Sequence, residues 1–600
     1  MVTKQAVATS SGAVVIGAAA VAYTWAAPRG VLGGDNGEFA AIFAAGGVAH
    51  PPGFPTMVLW LRLWHWLPVS SPAYGAALAT VLLGVGAVVS LQWACRAWCV
   101  SPGATAVATA VFALSPVAWD QGSHAEAFAM NALFAGCVLA MSAPPRPADG
   151  PRGLAWLAGL GLLAGVATGG HQTIVLLGPS GLYAAVRAVR RSPRRAIAAV
   201  TAVAALAVGV ALPEVYLYLS ARAASFRAQP VWIDAPTLAG VVDHVRRAAY
   251  GTLSLAPSGL AVARDPVASV WTCLAGTTRH LLGLPTLIPL AVVMRQGARA
   301  RLGAWRVPGE LIALGASYLL AGPTFAAAMN LTSHGAGPRV AERFLLLPDV
   351  IACLGSALAL TALLPSLGAR TAAAATVTAG VVAGWVALPS IREARRADVA
   401  WYLDNVLASA PEDAVIVATG DQSWGAFLYA HYAQHSRPDL AFVNPGLAHL
   451  AWYRRQATAL TGAEFDTPAG GAIGPRTMMR RLLQTGRPVL YAQWPDPVLE
   501  PTPHDTIGPL MRVWSDGAER PSVDALLAAN LAAFASFRID PAPPLDPTAW
   551  GRPLYEAYAR AWVELAQRLA EAGRLPEAQG CIARASALAP WALTRLPAAP

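Results

Sequence analysis

Up to about Ser390 the chain alternates apolar stretches, each about twenty residues long, with short loops of Pro, Gly and Arg, the spacing of helices that cross a bilayer. The first, SSGAVVIGAAAVAYTWAAP, is long and flanked by Lys4 and Arg29, so it predicts a retained signal-anchor helix. Further spans are predicted over about 72–94 and 103–119, and the pattern continues to an eleventh ending near Pro389. GFPTMVLWLRLWHWLPV breaks the series, because Arg62 and His65 suit a helix lying in the headgroup region. After Ile391 charge returns. DAVIVATGD, DLAFVNP and PVLYAQ read as three buried strands of a small α/β layer, and the chain closes with two amphipathic helices joined at Gly573. The expected architecture is an α-helical polytopic membrane domain (1–390), a C-terminal α/β domain (391–535), then a proline-stiffened linker and helical hairpin (536–600).

Composition agrees with a membrane protein: 55% of residues are hydrophobic, 13% are charged, and the mean hydropathy is +0.46. The formal charge of +10 would suit nucleic acid, but the arginines gather between apolar segments, as in RAVRRSPRRA and RQGARARLGAWR. That distribution orients a membrane protein and argues against a nucleic-acid partner. The six cysteines are scattered without a disulfide framework, and Cys95 and Cys99, a helical turn apart, read as packed thiols. Asn330 begins an Asn-Leu-Thr glycosylation triplet. Scarce lysine with abundant Ala and Arg points to a GC-rich bacterial genome, hence a cytoplasmic membrane.

With Lys4 cytoplasmic, the densest arginine clusters stay inside. The loops holding Asp35, Glu38 and His50, then Asp120, His124 and Glu126, then His171, then Arg339 and Arg343, all fall on the outer face, as does everything after residue 391. Singly these residues have ordinary explanations. Asp35 suits a helix cap, and His50 precedes a proline pair that ends a helix. Their convergence on one face favours a functional site. The histidines lack metal-ligand spacing.

The stretches GDNGEFAAIFAAGGVAHPPGFP, SPVAWDQGSHAEAFAMNALF, GVATGGHQT, PVWIDAPTLAGVVDHVRRAAYG, ERFLLLPDV and AVIVATGDQSWGAFLY resemble the protein O-mannosyltransferase-like family of the GT-C class of membrane glycosyltransferases. Asn36 stands where that family has Ser or Thr, and Gly170 where it has Asn. The carboxylates and the histidine are retained, so the departures bear on substrate identity. The C-terminal hairpin resembles one tetratricopeptide repeat, which cannot bury its own face and must pack on the α/β layer or on a partner.

The resemblance implies transfer of a hexose, such as mannose, from a polyprenyl-phosphate carrier to an acceptor hydroxyl on a protein or glycan. Asp35 is then the base. Glu38 and Glu126 position acceptor and sugar hydroxyls or hold a divalent metal, the only cofactor suggested. Arg247, Arg339 and Arg343 are the phosphate ligands, and His50, His124 and His171 donate to phosphate or sugar. Asp421, at the end of the first predicted strand, is a secondary site candidate. Two rival readings are a transporter or flippase of lipid-linked glycans, and a non-enzymatic scaffold displaying the C-terminal domain.

Overall fold

The computed structural model describes residues 2–145, 153–233, 237–252, 265–300, 307–329, 337–365, 368–420, 423–465, 471–492 and 503–592. Its first two thirds are a helical bundle whose element starts are written locally. Ser71, Ser101 and Ser115 each precede a proline, and each serine hydroxyl accepts from a backbone N–H three residues on. This is N-cap chemistry with proline in the first turn, where its missing N–H costs nothing. Ser115-Pro116 also corrects the expected third span, which is two helices, Pro102–Ala113 and Pro116–Gln121.

By length and apolarity, five helices among the described residues suffice to cross a membrane, the first of them Pro72–Ala97. A sixth crossing is formed if Pro266–His280 and the following helix, bent by 104°, count as one. Shorter apolar helices, including Phe128–Ser142 and Leu154–Thr168, complete the bundle. Its outer faces keep large apolar side chains in the open: Trp385 is 77% exposed and Val203 67%. Such faces need lipid against them. Arg187 pairs with Glu310 and donates to the Ala143 carbonyl, which ties three segments of the bundle together.

Helix Pro55–Trp64 is 10 residues long, about 15 Å, and cannot cross. Arg62, half-buried, also serves the protein itself. Its Nη1 donates to the carbonyls of Phe43 and Ala44, 2.8 Å each, and so closes the C-terminus of helix Asn36–Ala45.

The C-terminal layer contains β1 (Val415–Val417), β2 (Ala441–Val443), β3 (Val489–Tyr491), β4 (His504–Ile507) and β5 (Leu510–Val513) in the order β2-β1-β3-β5-β4. The three fully buried strands run parallel, with Val415 beside Ala441 and Val489. The antiparallel β4–β5 hairpin was not expected, because Asp505 and Arg512 interrupt its apolar pattern. Helices Arg552–Glu571 and Leu575–Leu588 pack on each other about Gly573, whose φ is +77°. The first of the pair is fastened to the sheet by Thr506–Glu564 and Asp505–Arg568 contacts, so the hairpin covers the α/β layer.

Candidate active site

Helix Asn36–Ala45 carries the first polar group of the site. Asp35 occupies its N-cap position but makes no side-chain cap bond, so capping is not its role. Its carboxylate faces Arg343, with Nη1 3.3 Å from Oδ2. One turn on, buried Glu38 gives both oxygens to His50. Oε1 accepts from the His50 backbone N–H at 2.7 Å, and Oε2 lies 2.6 Å from Nδ1.

Glu126 arrives from the loop before helix Phe128–Ser142. Its Oε1 accepts from Arg343 Nη1 at 2.8 Å and from the Asp35 N–H at 3.2 Å, while Oε2 is buried with no hydrogen-bond partner among the described residues. Burial pushes this carboxyl up to about 8; Arg343 opposes the rise and Asp35 adds to it. A proton on Oε2 fits that geometry. Burial also acts to raise Asp35, but His50 and Arg343 outweigh it and hold its carboxyl below the usual range. Two adjacent carboxyls are thereby split into an ionised and a protonated one, the arrangement that distinguishes a base from a positioning acid.

His171 follows helix Leu154–Thr168. Its Nδ1 accepts from the Thr173 N–H at 3.3 Å, which leaves the proton of the neutral ring on Nε2. Burial, reinforced by Arg247 and Arg343, lowers its pKa to about 3, so the ring is a neutral donor. Phe128 and Phe344 enclose it, centroids 4.7 and 5.9 Å away, and the Arg343 guanidinium lies 5.4 Å from the Phe128 ring.

Arg247 sits in left-handed backbone, φ +56°, a conformation that costs a non-glycine residue roughly 1–2 kcal/mol. Its Nε is buried and meets no hydrogen-bond acceptor among the described residues. Burial lowers its pKa, against the pull of Tyr250 and Asp35.

Asp35, Glu38, His50, Glu126, His171, Arg247 and Arg343 share one cavity of about 480 Å³. The rest of its lining includes the apolar Val175, Leu176, Phe325, Met329 and Phe344. The C-terminal layer supplies Trp424 and Gly425, and the loop after helix Arg195–Ala223 supplies Trp232. Trp550, from the expected linker, packs against Gly33 and Gly34 behind Asp35. These contributors are not legible in the sequence, because aromatic residues in loops carry no signal of which surface they meet; of them, Trp424 and Trp232 lie within stretches that carry the family resemblance.

Two candidates lie elsewhere. His124 Nδ1 is 2.7 Å from the Asp120 carbonyl, and Arg339 Nη2 is 3.6 Å from Asp120 Oδ2, both outside the cavity. They brace one another through Asp120. Asp421 lies outside the described residues. Asp35, Glu38 and His50 each place one donor atom within 4.8 Å of the others, a mixed oxygen and nitrogen set that fits a divalent cation.

Residues 35–195 match the family described as the protein O-mannosyl-transferase TMEM260 N-terminal domain, a span that includes Asp35, Glu38, His50, Glu126 and His171. The mouse protein O-mannosyl-transferase TMEM260 is 29% identical over 473 residues, 75% of this chain and 65% of the mouse protein. The chain thus matches a little under two thirds of that relative's length. In fold it is similar to ArnT from Cupriavidus metallidurans, solved with undecaprenyl phosphate: TM-score 0.51, 14% identity, 85% of this chain and 99% of that one. Residues 35–195 are thus similar to the O-mannosyl-transferase TMEM260 N-terminal family, and the chain as a whole is similar in fold to ArnT.

Proposed function

We propose that the protein transfers a hexose, such as mannose, from a polyprenyl-phosphate carrier to an acceptor hydroxyl, a protein Ser or Thr or a glycan, at the outer face of a bacterial cytoplasmic membrane. The observation that carries this reading is that one cavity is lined both by Asp35, Glu126, Arg247 and Arg343 and by the apolar Val175, Leu176, Phe325, Met329 and Phe344. Such a cavity suits a charged headgroup joined to a hydrocarbon tail. The names of the mouse relative and of undecaprenyl-phosphate-bound ArnT point the same way. Eleven crossings, with the C-terminal domains 391–535 and 536–600 outside, complete the proposed topology.

In the proposed reaction Arg247 and Arg343 hold the phosphate oxygens, and His171 Nε2–H donates a further hydrogen bond. Drawing Arg343 onto the phosphate loosens its 3.3 Å contact with Asp35, which strengthens Asp35 as a base at the moment a hydroxyl is presented. The acceptor oxygen bonds to the anomeric carbon as that carbon's bond to the phosphate oxygen breaks. The hydroxyl proton passes to Asp35, and polyprenyl phosphate departs with the bonding electrons. Protonated Glu126 orients a hydroxyl, and Glu38 fixes the His50 ring. A divalent cation held by Asp35, Glu38 and His50 would add positive charge beside the phosphate.

The test is to place purified protein in lipid nanodiscs with a panel of radiolabelled polyprenyl-phosphate hexoses. Loss of label from the lipid phase with at least one donor is expected; a panel left intact in full overturns the proposal.

A further inference from the structure

Arg343 is delivered by the short helix Gly337–Arg343, each charged residue of which meets a different wall. Arg339 reaches Asp120 at 3.6 Å and Arg343 reaches Glu126 at 2.8 Å, while Glu342 turns the other way, to His280 Nε2 at 3.3 Å. His280 ends helix Pro266–His280 and is fully buried; its Nδ1 lies 2.8 Å from Asp349 Oδ2, itself fully buried in helix Leu346–Leu363. An imidazole whose two nitrogens face two carboxylates satisfies both only as the doubly donating imidazolium. Arg279, 68% exposed, adds a weaker contact to Glu342 at 3.3 Å.

We propose that His280 is a positioning residue for Arg343, acting through Glu342. Its ring ties the helix that carries Arg343 to the buried start of helix Leu346–Leu363. Glu342 and Arg343 are consecutive, and the backbone N–H of Leu345 donates to the Glu342 carbonyl at 3.0 Å, so the two side chains move together. An offset of about 1 Å at Glu342 would then pass to a guanidinium that must meet phosphate oxygens within a few tenths of that distance. This inference rests on the phosphate role proposed for Arg343.

The experiment compares His280→Gln and Glu342→Gln, each alone and combined with Arg343→Ala, by binding of undecaprenyl phosphate in nanodiscs and by amide exchange over residues 337–345. Each single variant should weaken binding about tenfold and speed exchange in that segment. In the Arg343→Ala background the further loss of binding should vanish. Unchanged exchange, or a tenfold loss that persists without Arg343, overturns the proposal. If the unaltered protein does not bind undecaprenyl phosphate, the phosphate role falls, and the exchange measurement alone decides whether His280 fixes the helix.

Discussion

Gly37 and Gly425 meet backbone to backbone: a Cβ on Gly37 would lie 2.3 Å from the Gly425 carbonyl carbon. The helix bearing Asp35 and Glu38 is thus seated directly on the C-terminal layer, with no side chain between them to yield. Gly37→Ala should cost about 1–3 kcal/mol and lower transfer by opening the roof of the cavity. Gly17, where an added Cβ would meet nothing within 4 Å, is the control, and Gly17→Ala should be neutral or slightly stabilising. Thermal unfolding in detergent of the two variants distinguishes them.

Arg62 locks the far end of the same helix. Removing its guanidinium leaves the Phe43 and Ala44 carbonyls without that donor, at about 1.5–3 kcal/mol for a charge-assisted pair. Arg62→Ala should therefore lower the melting temperature and the turnover together, and Arg62→Lys should recover part of both.

Arg247 holds a left-handed backbone that glycine adopts without strain. Arg247→Gly should leave stability unchanged or raise it by up to about 1 kcal/mol, since relief of strain is offset by a more flexible unfolded chain. The donor KM should nonetheless rise about tenfold or more through loss of a phosphate ligand. A fall in stability with KM unchanged would make Arg247 structural.

Sequence polarity located the corner formed by Asp35, Glu38, His50, Glu126 and His171 because each interrupts a long apolar run near a predicted membrane surface, where water or a partner must receive it. The same argument could not separate Arg343 from Arg339, since both are outward-facing arginines on one turn and a half of helix; only the position of Asp120 decides which faces the cavity. The part Arg62 plays at the end of helix Asn36–Ala45 was not legible, because its acceptors are carbonyls, and a carbonyl has no signature in a sequence. The three parallel strands were legible as continuous apolar runs, whereas β4 and β5, four residues each and carrying Asp505 and Arg512, were not.

Glu126 sets a pH dependence of stability. With its carboxyl raised from the ordinary 4.5 to about 8, the folded protein keeps a proton over that interval which the unfolded chain has released. Stability from this group is complete below pH 4.5 and is lost as pH rises through about 8. Glu126→Gln, neutral throughout, should flatten the decline of melting temperature over that window; an unaltered slope would show that Glu126 is ionised in the folded state.

Transfer itself depends on Asp35 as the group that accepts the hydroxyl proton. The most direct measurement is the turnover of polyprenyl-phosphate sugar by Asp35→Asn beside the unaltered protein, both checked for folding by thermal unfolding. The account predicts release of labelled sugar from lipid by the unaltered protein and none above background by a folded Asp35→Asn variant. Turnover by that variant at the rate of the unaltered protein would contradict it.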